Sequence, residues 1–375
     1  MKIVFTGGGT GGHFYPIIAV AQELKDLMYE QKIIDIKMYF LSTDPYDAQA
    51  LIDNNIQFIK IPSGKWRRYF SLFNILDLFK LAFGALKAIT KLFTIYPDVV
   101  FSKGGYASMP TLIAAKIMGI PVVIHESDSH PGRASLWASS FAEIVNISYP
   151  EVAEHFPREK TTITGNPLRR DILNPIPEGA FKYLQLKEDL PIILILGGSL
   201  GAKNINNVII EAIENLVTKY QIIHQVGSQN FKEVKLRADI ILENNPNKNN
   251  YQIFPYLNDL AMRMAAGVSN LVISRAGSVI FEIAHWQIPA ILIPIPETIS
   301  HDQTNNAFTY ARYGAGVVIE EGNLSDSVLI SEIDRILSDN NKQQEMKLKA
   351  KEFAKPNAGR IIAKQIISIA ERHVQ

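Results

Sequence analysis

A histidine directly follows a glycine-rich loop near the start of the chain. Five of the six residues Gly7–Gly12 are glycine, His13 comes next, and a helix is predicted over residues 15–30. Glycine lets the backbone approach an anion closely, and a helix N-terminus presents free N–H groups and a partial positive charge. The loop therefore predicts a phosphate site with an ionisable imidazole beside it. Its G-x-G-x-x-G spacing also fits dinucleotide binding, which alone is weak evidence.

Two more polar loops follow predicted strands in the same half of the chain. One contains Gly104-Gly105-Tyr106, and the other is His125-Glu126-Ser127-Asp128. In a parallel sheet, ligands bind beyond the carboxyl ends of the strands, so we expect both loops to converge with the first one. Three such loops in succession, two of them with an imidazole, predict a functional site rather than simple connections.

The second half of the chain begins as the first half does. Ile192–Leu196 predicts a buried strand, Gly197–Gly201 is glycine-rich, and a helical pattern follows. Further along, Ser274–Ser278 lies where a strand gives way to a helix, and Glu282 follows about one turn later. A carboxylate at that position can accept hydrogen bonds from two adjacent sugar hydroxyls. An acid in a first helical turn is also what the helix dipole alone favours.

The length of 375 residues predicts two domains, and the alternation of strands with helices predicts parallel sheets covered on both faces. The net charge of +1 gives no indication of nucleic-acid binding, and the absence of cysteine excludes disulfides and thiolate metal sites. We expect neither a signal peptide nor a membrane-spanning helix. An apolar stripe near the C-terminus predicts a helix that packs back onto the first domain: Ile361, Ile362, Ile366 and Ile369.

Residues 65–93 combine aromatic and aliphatic side chains with six basic residues and a single acid, Asp77. One interpretation is a buried helix. The other is a membrane-surface patch, with aromatic side chains entering the interface and Lys or Arg meeting anionic head groups.

Seven of these motifs occur in the order and spacing of one family, and the chain resembles the MurG glycosyltransferases over essentially its whole length. The motifs are Gly7–Pro16, Lys103–Pro110, His125–Asp128, Gly165–Arg169, Gly197–Ala202, Ser274–Ser278 and Gln303–Ala307. The resemblance implies a GT-B fold, with two doubly wound Rossmann-like domains facing across a cleft. It implies inverting transfer of GlcNAc from UDP-GlcNAc to the C4 hydroxyl of undecaprenyl-pyrophosphoryl-MurNAc-pentapeptide, without cofactor or metal. The resemblance also implies that the protein acts at the cytoplasmic face of the cell membrane, bound to its anionic surface as a peripheral protein.

The same resemblance assigns domains and residues. Residues 1–164, completed by a helix over 356–375, would form the acceptor and membrane-associating domain, and residues 165–355 the donor domain. The loop Gly104, Gly105 and Tyr106 is similar to the one that binds the acceptor diphosphate. The residues similar to donor-binding positions are Thr10, Gly11, Gly12, Asp128, Arg169, Ser199, Leu257, Ser278, Val279, Ile280, Glu282 and Gln303. Six residues separate Arg275 from Glu282, one fewer than the family usually has.

Inversion implies a single displacement in which a base removes the hydroxyl proton as UDP leaves. His13 is the predicted base, because an imidazole of near-neutral pKa suits proton abstraction, and Glu126 is the alternative. Three other functions stay open. A UDP-sugar 2-epimerase shares the architecture but needs no lipid acceptor. A nicotinamide oxidoreductase would use Gly7–Gly12, and a membrane scaffold would leave both glycine loops without a role.

Overall fold

The computed structural model describes residues 1–31, 35–64, 73–198, 201–296 and 301–374. The chain forms two compact units. The first contains Met1–Arg169 and the chain from Lys355 onward, and the second contains Arg170–Ala354. The sequence predicted the first domain boundary between residues 164 and 165, whereas the structure groups the segment Gly165–Arg169 with the first unit.

The first unit is built on seven parallel strands in the order β3-β2-β1-β4-β5-β6-β7. The strands are β1 Lys2–Thr6, β2 Lys37–Ser42, β3 Ile56–Lys60, β4 Val99–Ser102, β5 Val122–Glu126, β6 Ile144–Ile147 and β7 Thr161–Ile163. The helices are α1 Gly11–Gln31, α2 Ala48–Asp53, α3 Phe73–Ile95, α4 Met109–Met118 and α5 Arg133–Ser139. The central strands are nearly all apolar because helices cover both faces of the sheet.

The second unit repeats this plan with six parallel strands in the order β10-β9-β8-β11-β12-β13. The strands are β8 Ile192–Leu196, β9 Gln221–Gln225, β10 Tyr251–Phe254, β11 Leu271–Ser274, β12 Ala290–Leu292 and β13 Gly316–Val318. The helices are α6 Arg170–Leu173, α7 Ala180–Tyr183, α8 Lys203–Lys219, α9 Phe231–Ile241, α10 Asp259–Val268, α11 Val279–Trp286, α12 His301–Arg312, α13 Asp326–Leu337 and α14 Asn340–Phe353. Both strand orders are those of doubly wound sheets, so the predicted fold class is confirmed.

The last helix, α15 (Ala358–Val374), belongs to the first unit. Its residues Ile362, Ile366 and Ile369 are buried in the same core cluster as Phe14 and Ile17 of α1. These three residues of the predicted C-terminal stripe complete the core of the first unit, whereas the fourth, Ile361, is exposed. In the part of the chain that the structure describes, no helix is both long and apolar enough to cross a bilayer.

Candidate active site and donor-binding residues

His13 lies in the first turn of α1, because this helix begins at Gly11 and not near residue 15. The carbonyl of Thr10 accepts the backbone N–H groups of His13 and Phe14, both at 3.2 Å, which starts the helix at the end of the glycine loop. The sequence predicted this helix over residues 15–30, because its apolar pattern begins only at Pro16. The earlier start puts the imidazole at the positive end of the helix.

The imidazole of His13 is held by Thr10 and has an unusually low pKa. Its Nδ1 atom lies 3.1 Å from the Thr10 hydroxyl oxygen. Desolvation by the surrounding protein and, to a smaller extent, the Lys103 ammonium lower the pKa of His13 to about 4, although Asp128 opposes both effects. The near-neutral pKa expected from the residue type is therefore wrong for the protein alone, since the charged imidazolium is disfavoured in these surroundings. At pH 7 the ring is neutral.

The loop Gly104–Tyr106 lies directly against the first glycine loop. Gly105 has a φ of +80°, and a Cβ atom there would sit 3.4 Å from the carbonyl oxygen of Gly8 and 3.6 Å from Cε1 of His13. A Cβ atom on Gly9 would meet the Tyr106 ring at 3.1 Å. The structure therefore brings together the predicted base and the predicted acceptor loop.

Glu126 ends β5 and organises the loop that follows. One carboxylate oxygen accepts the backbone N–H groups of Ser127 (2.9 Å) and Asp128 (3.1 Å), and the other accepts that of Gly132 (3.0 Å). Burial raises the pKa of Glu126, the negative charge of Asp128 raises it further, and the hydrogen bonds oppose the rise. Three backbone donors on one buried carboxylate mark it as the group that shapes residues 127–132.

Two buried side chains behind this loop were not assigned from the sequence. The ammonium of Lys103 lies 2.8 Å from Nδ1 of His125, whose Nε2 lies 2.8 Å from the carbonyl oxygen of Gly165. An ammonium only donates, so His125 is the tautomer that accepts at Nδ1 and donates at Nε2. Lys103 belongs to the motif Lys103–Pro110, but only Gly104, Gly105 and Tyr106 of that motif were assigned a role from the sequence.

Arg169 also belongs to this part of the molecule. Its guanidinium carbon lies 4.1 Å from the ring centroid of Tyr15 in α1, a cation–π contact. Thr10, Gly11, Gly12 and Asp128, all predicted to bind the donor, lie in the first unit as well.

The remaining predicted donor-binding residues lie in the second unit, except that Ser199 falls outside the described residues. Leu257 is buried, and its backbone N–H donates to the Gln225 side chain at 2.9 Å. The Gln303 side chain accepts the N–H of Ile295 at 3.1 Å and packs near Gly277. Each of these glutamine contacts fixes a loop at the carboxyl edge of the second sheet.

The start of α11 gathers four of the predicted donor residues. Ser278 is its N-cap residue, Val279 begins the helix, and Glu282 lies in its first turn. Ile280 is buried in the core, so only its backbone is available to a ligand. The neighbouring Arg275 forms an ion pair with Glu321 and donates to the carbonyl oxygen of Ile293 at 3.0 Å. This ion pair holds the β11–α11 loop. The sequence did not reveal it, because the two residues are distant in the chain.

Comparison with known proteins identifies the family. The model of the glycosyltransferase family 28 N-terminal domain matches residues 3–147, and that of the C-terminal domain matches residues 192–361. A Clostridium botulinum (strain Hall) protein named UDP-N-acetylglucosamine–N-acetylmuramyl-(pentapeptide) pyrophosphoryl-undecaprenol N-acetylglucosamine transferase is 38% identical over 343 residues, which is 91% of this chain and 92% of that protein. The crystal structure of Acinetobacter baumannii MurG matches with a TM-score of 0.74 at 27% identity, covering 98% of this chain and 99% of that one. The chain belongs to the MurG family of glycosyltransferases.

Family membership confirms the enzyme class that the seven motifs predict. A crystal structure of a putative UDP-N-acetylglucosamine 2-epimerase from Listeria monocytogenes also matches, with a TM-score of 0.71 at 15% identity, over 99% of this chain and 97% of that one. At that identity the likeness concerns the fold alone. Within the described residues, no three His, Cys, Asp or Glu side chains are grouped as they would be around a metal ion.

The close approach of Gly9 to Tyr106 gives a testable consequence. Gly9→Ala places a methyl group 3.1 Å from the Tyr106 ring, so the ring must move, and it adds the strain of a backbone with a φ of +90°. We expect kcat for GlcNAc transfer to fall by about tenfold or more, because the predicted acceptor loop beside His13 is displaced by a fraction of an ångström. Gly119→Ala is the matched control, since Gly119 has a φ of +66° in the same unit with nothing within 4 Å of its added Cβ. Equal kcat losses in both variants would contradict the contact.

Proposed function

We propose that this chain transfers N-acetylglucosamine from UDP-GlcNAc to the C4 hydroxyl of MurNAc in undecaprenyl-pyrophosphoryl-MurNAc-pentapeptide, with inversion at the anomeric carbon. The observation that carries the proposal is the family itself: the Clostridium relative, whose name states this transfer to a lipid-linked muramyl acceptor, is 38% identical over 91% of the chain. The 2-epimerase alternative has only the common fold in its support.

The donor is assigned mainly to the second unit. The helix N-terminus at Ser278–Val279 would offer N–H groups to the diphosphate of UDP. Ser199, which lies outside the described residues, is assigned to the donor by the family resemblance alone. Glu282 in the first turn of α11 would accept the ribose hydroxyls. Since the N–H of Leu257 is bonded to Gln225, its carbonyl is the backbone group left to accept the N–H of the uracil ring.

The other residues that the family resemblance assigns to the donor are proposed to contact its sugar and outer phosphate. They are Thr10, Gly11, Gly12, Asp128, Arg169, Ile280 and Gln303.

The chemistry is one displacement. The acceptor C4 oxygen attacks the anomeric carbon of GlcNAc, the bond from that carbon to the diphosphate oxygen breaks, and the hydroxyl proton passes to Nε2 of His13. The Thr10 hydroxyl supports this role if it accepts Nδ1–H, because the lone pair of the ring then lies on Nε2. UDP leaves with the electron pair of the broken bond, stabilised by backbone N–H groups.

The low pKa of His13 fits this role once the charge of the substrates is counted. An imidazole that is neutral at pH 7 is ready to accept a proton, but with a pKa of about 4 it is a weak base. A negative charge near the ring raises its pKa, as Asp128 already does. An acceptor diphosphate at the loop Gly104–Tyr106, which touches the imidazole through Gly105, would act in the same direction as it binds.

Glu126 is the weaker candidate for the base. Both of its oxygens already accept backbone N–H groups, and a proton taken by this carboxylate would disturb the loop 127–132. Its contacts support a structural role in presenting Asp128 and the rest of that loop.

The first unit carries an exposed apolar face on α3 that fits a membrane surface. Large side chains that a soluble helix normally buries point outward, and the side chains packed into the core are small or medium-sized. The exposed ones are Ile75, Leu76, Leu78, Phe79, Phe83, Leu86 and Phe93. We propose that this face enters the interface of the cytoplasmic leaflet, where the lipid-linked acceptor resides.

The polar residues of α3 do not all face the solvent. Asp77 is buried with a salt bridge to Lys80 at 3.6 Å, and Gly84 packs so closely on the carbonyl of Pro62 that a Cβ atom would lie 1.9 Å from it. Lys91 is exposed, which leaves its charge available to anionic head groups, whereas the exposed Lys80 is paired with Asp77. The earlier part of the predicted membrane segment, residues 65–72, lies outside the described residues.

A direct assay tests the activity. Incubation with UDP-GlcNAc and lipid-linked MurNAc-pentapeptide should release UDP and yield a β-linked disaccharide. Formation of UDP-ManNAc without any acceptor would contradict the proposal and favour the epimerase.

His13→Gln tests the base in the same assay. We expect kcat to fall by about 10²-fold or more with the KM for UDP-GlcNAc nearly unchanged, because the proton then has no acceptor in the transition state. His155→Gln is the control, since His155 is an exposed histidine of the same unit. A near-normal kcat for His13→Gln would remove the base role from this residue.

Binding to vesicles tests the α3 face. We expect Phe79→Asn with Phe83→Asn to weaken binding to anionic vesicles by about tenfold or more, because two aromatic rings no longer enter the interface. These rings are 69% and 63% exposed, and Leu236 and Ile240 of α9, at 62% and 65%, provide the matched control when both are changed to Asn. Turnover of a water-soluble acceptor analogue should survive in both proteins. Equal losses of vesicle binding would show that exposure alone, not the α3 face, drives binding.

A further inference from the structure

A buried lysine lies directly behind the two glycine loops, and the mechanism above does not use it. Lys103 follows β4 and immediately precedes Gly104, and only 2% of its surface is exposed. Its Cβ would lie 3.1 Å from a Cβ atom on Gly7, so its stem packs against the backbone of the first glycine loop. Burial of a lysine at this level is unusual without an opposite charge in direct contact.

The contacts of this ammonium are incomplete. An ammonium carries three N–H donors, and within the described structure only one has a partner, Nδ1 of His125 at 2.8 Å. That partner is a neutral ring, because its Nδ1 accepts and its Nε2 donates to the carbonyl of Gly165. No carboxylate among the described residues forms a salt bridge with Lys103. A buried cation in this condition favours a negative charge nearby.

The charged and titratable groups around Lys103 come from three elements. Glu126 and His125 lie on β5, Asp128 lies on the loop after β5, and His13 lies on α1. Burial lowers the pKa of Lys103 to about 8, with Glu126 and then Asp128 opposing the fall. The side chain is therefore mostly charged at pH 7 and loses its charge as the pH rises past about 8.

We propose that Lys103 is a positioning residue that holds a positive charge behind the loop Gly104–Tyr106 and so binds the anionic diphosphate of the acceptor through its field rather than by contact. This inference rests on the proposed function, since it deepens the acceptor half of that site. The same charge acts on the nearby His13, and the acceptor diphosphate then offsets it. Because the interior of the protein screens charges less than water does, the effect passes through the intervening loop.

The proposal has a signature in pH. In the wild type, the KM for the acceptor rises as the pH passes about 8, because Lys103 loses its proton there. In Lys103→Met this alkaline rise is absent, and the KM for the acceptor is already raised at pH 7. The acid limb of kcat moves to higher pH in the variant, since Lys103 no longer lowers the pKa of His13.

The experiment compares Lys103→Met with the wild-type chain in the transferase assay, using two soluble acceptor analogues. One carries the MurNAc-pentapeptide diphosphate, and the other carries an uncharged methylene-type linker in place of the diphosphate. We expect the KM for the charged analogue to rise about tenfold, the order of one partly screened charge interaction. The KM for UDP-GlcNAc and the KM for the uncharged analogue should stay within twofold of the wild type. Lys116→Met, which removes an exposed lysine of the same unit, is the matched control.

Equal KM changes for both analogues, or an unchanged KM for the charged one, would overturn the role of Lys103. If Lys103→Met does not fold, the wild type alone decides: an acceptor KM that stays flat from pH 7 to 9 overturns the proposal. Failure of the proposed function looks different, because the wild type would then transfer no GlcNAc to either analogue.

Discussion

The active half of this molecule depends on the close approach of two glycine loops at the carboxyl edge of the first sheet. Gly105 lies beside the carbonyl of Gly8 and the ring of His13, and Gly9 lies so close to the Tyr106 ring that a Cβ atom there would sit only 3.1 Å away. This approach requires β1 and β4 to be neighbours in the sheet, which the doubly wound topology provides. The imidazole and the acceptor loop are therefore adjacent through the backbone, and not through flexible side chains.

The electrostatics of this edge follow from burying charge in a small space. Glu126 is stabilised by backbone N–H groups, and Lys103 by the neutral ring of His125. The start of α1 adds a further partial positive charge beside His13. Among the described residues no carboxylate forms a salt bridge with Lys103, so its positive charge is not neutralised by direct contact. Together with the start of α1 it favours a diphosphate at the two glycine loops, whereas Glu126 and Asp128 oppose this effect.

Much of this could be read from the sequence, and the reasons are specific. The strands β1, β5 and β8 are short apolar runs that are followed by glycine or polar residues. The positions of these strands and of the loops after them could therefore be predicted. Family membership came from seven motifs in order. The start of α1 was predicted too late because the apolar helical pattern begins only at Pro16, whereas Gly11 and Gly12 are already helical.

Other features depend on neighbours that are distant in the chain, which no local pattern shows. The pKa of His13 is set by desolvation and by Lys103, and the loop after β11 is held by Glu321 through Arg275. The pattern of residues 65–93 allowed a buried helix and a membrane-surface patch equally. In the described part of this segment, the packing of Gly84 and Ala88 shows which face of α3 turns inward.

The central claim is that His13 is a neutral imidazole at physiological pH whose basicity depends on the charges around it. The most direct measurement is an NMR pH titration of the full chain with isotope-labelled histidine, with the His13 signals assigned by their loss in His13→Gln. The account predicts a ring that stays neutral at pH 7 with its proton on Nδ1 and that becomes charged only near pH 4, and a higher pKa when a MurNAc diphosphate analogue is bound. A ring that titrates at its ordinary value of 6.5, and that is unaffected by the diphosphate, would contradict it.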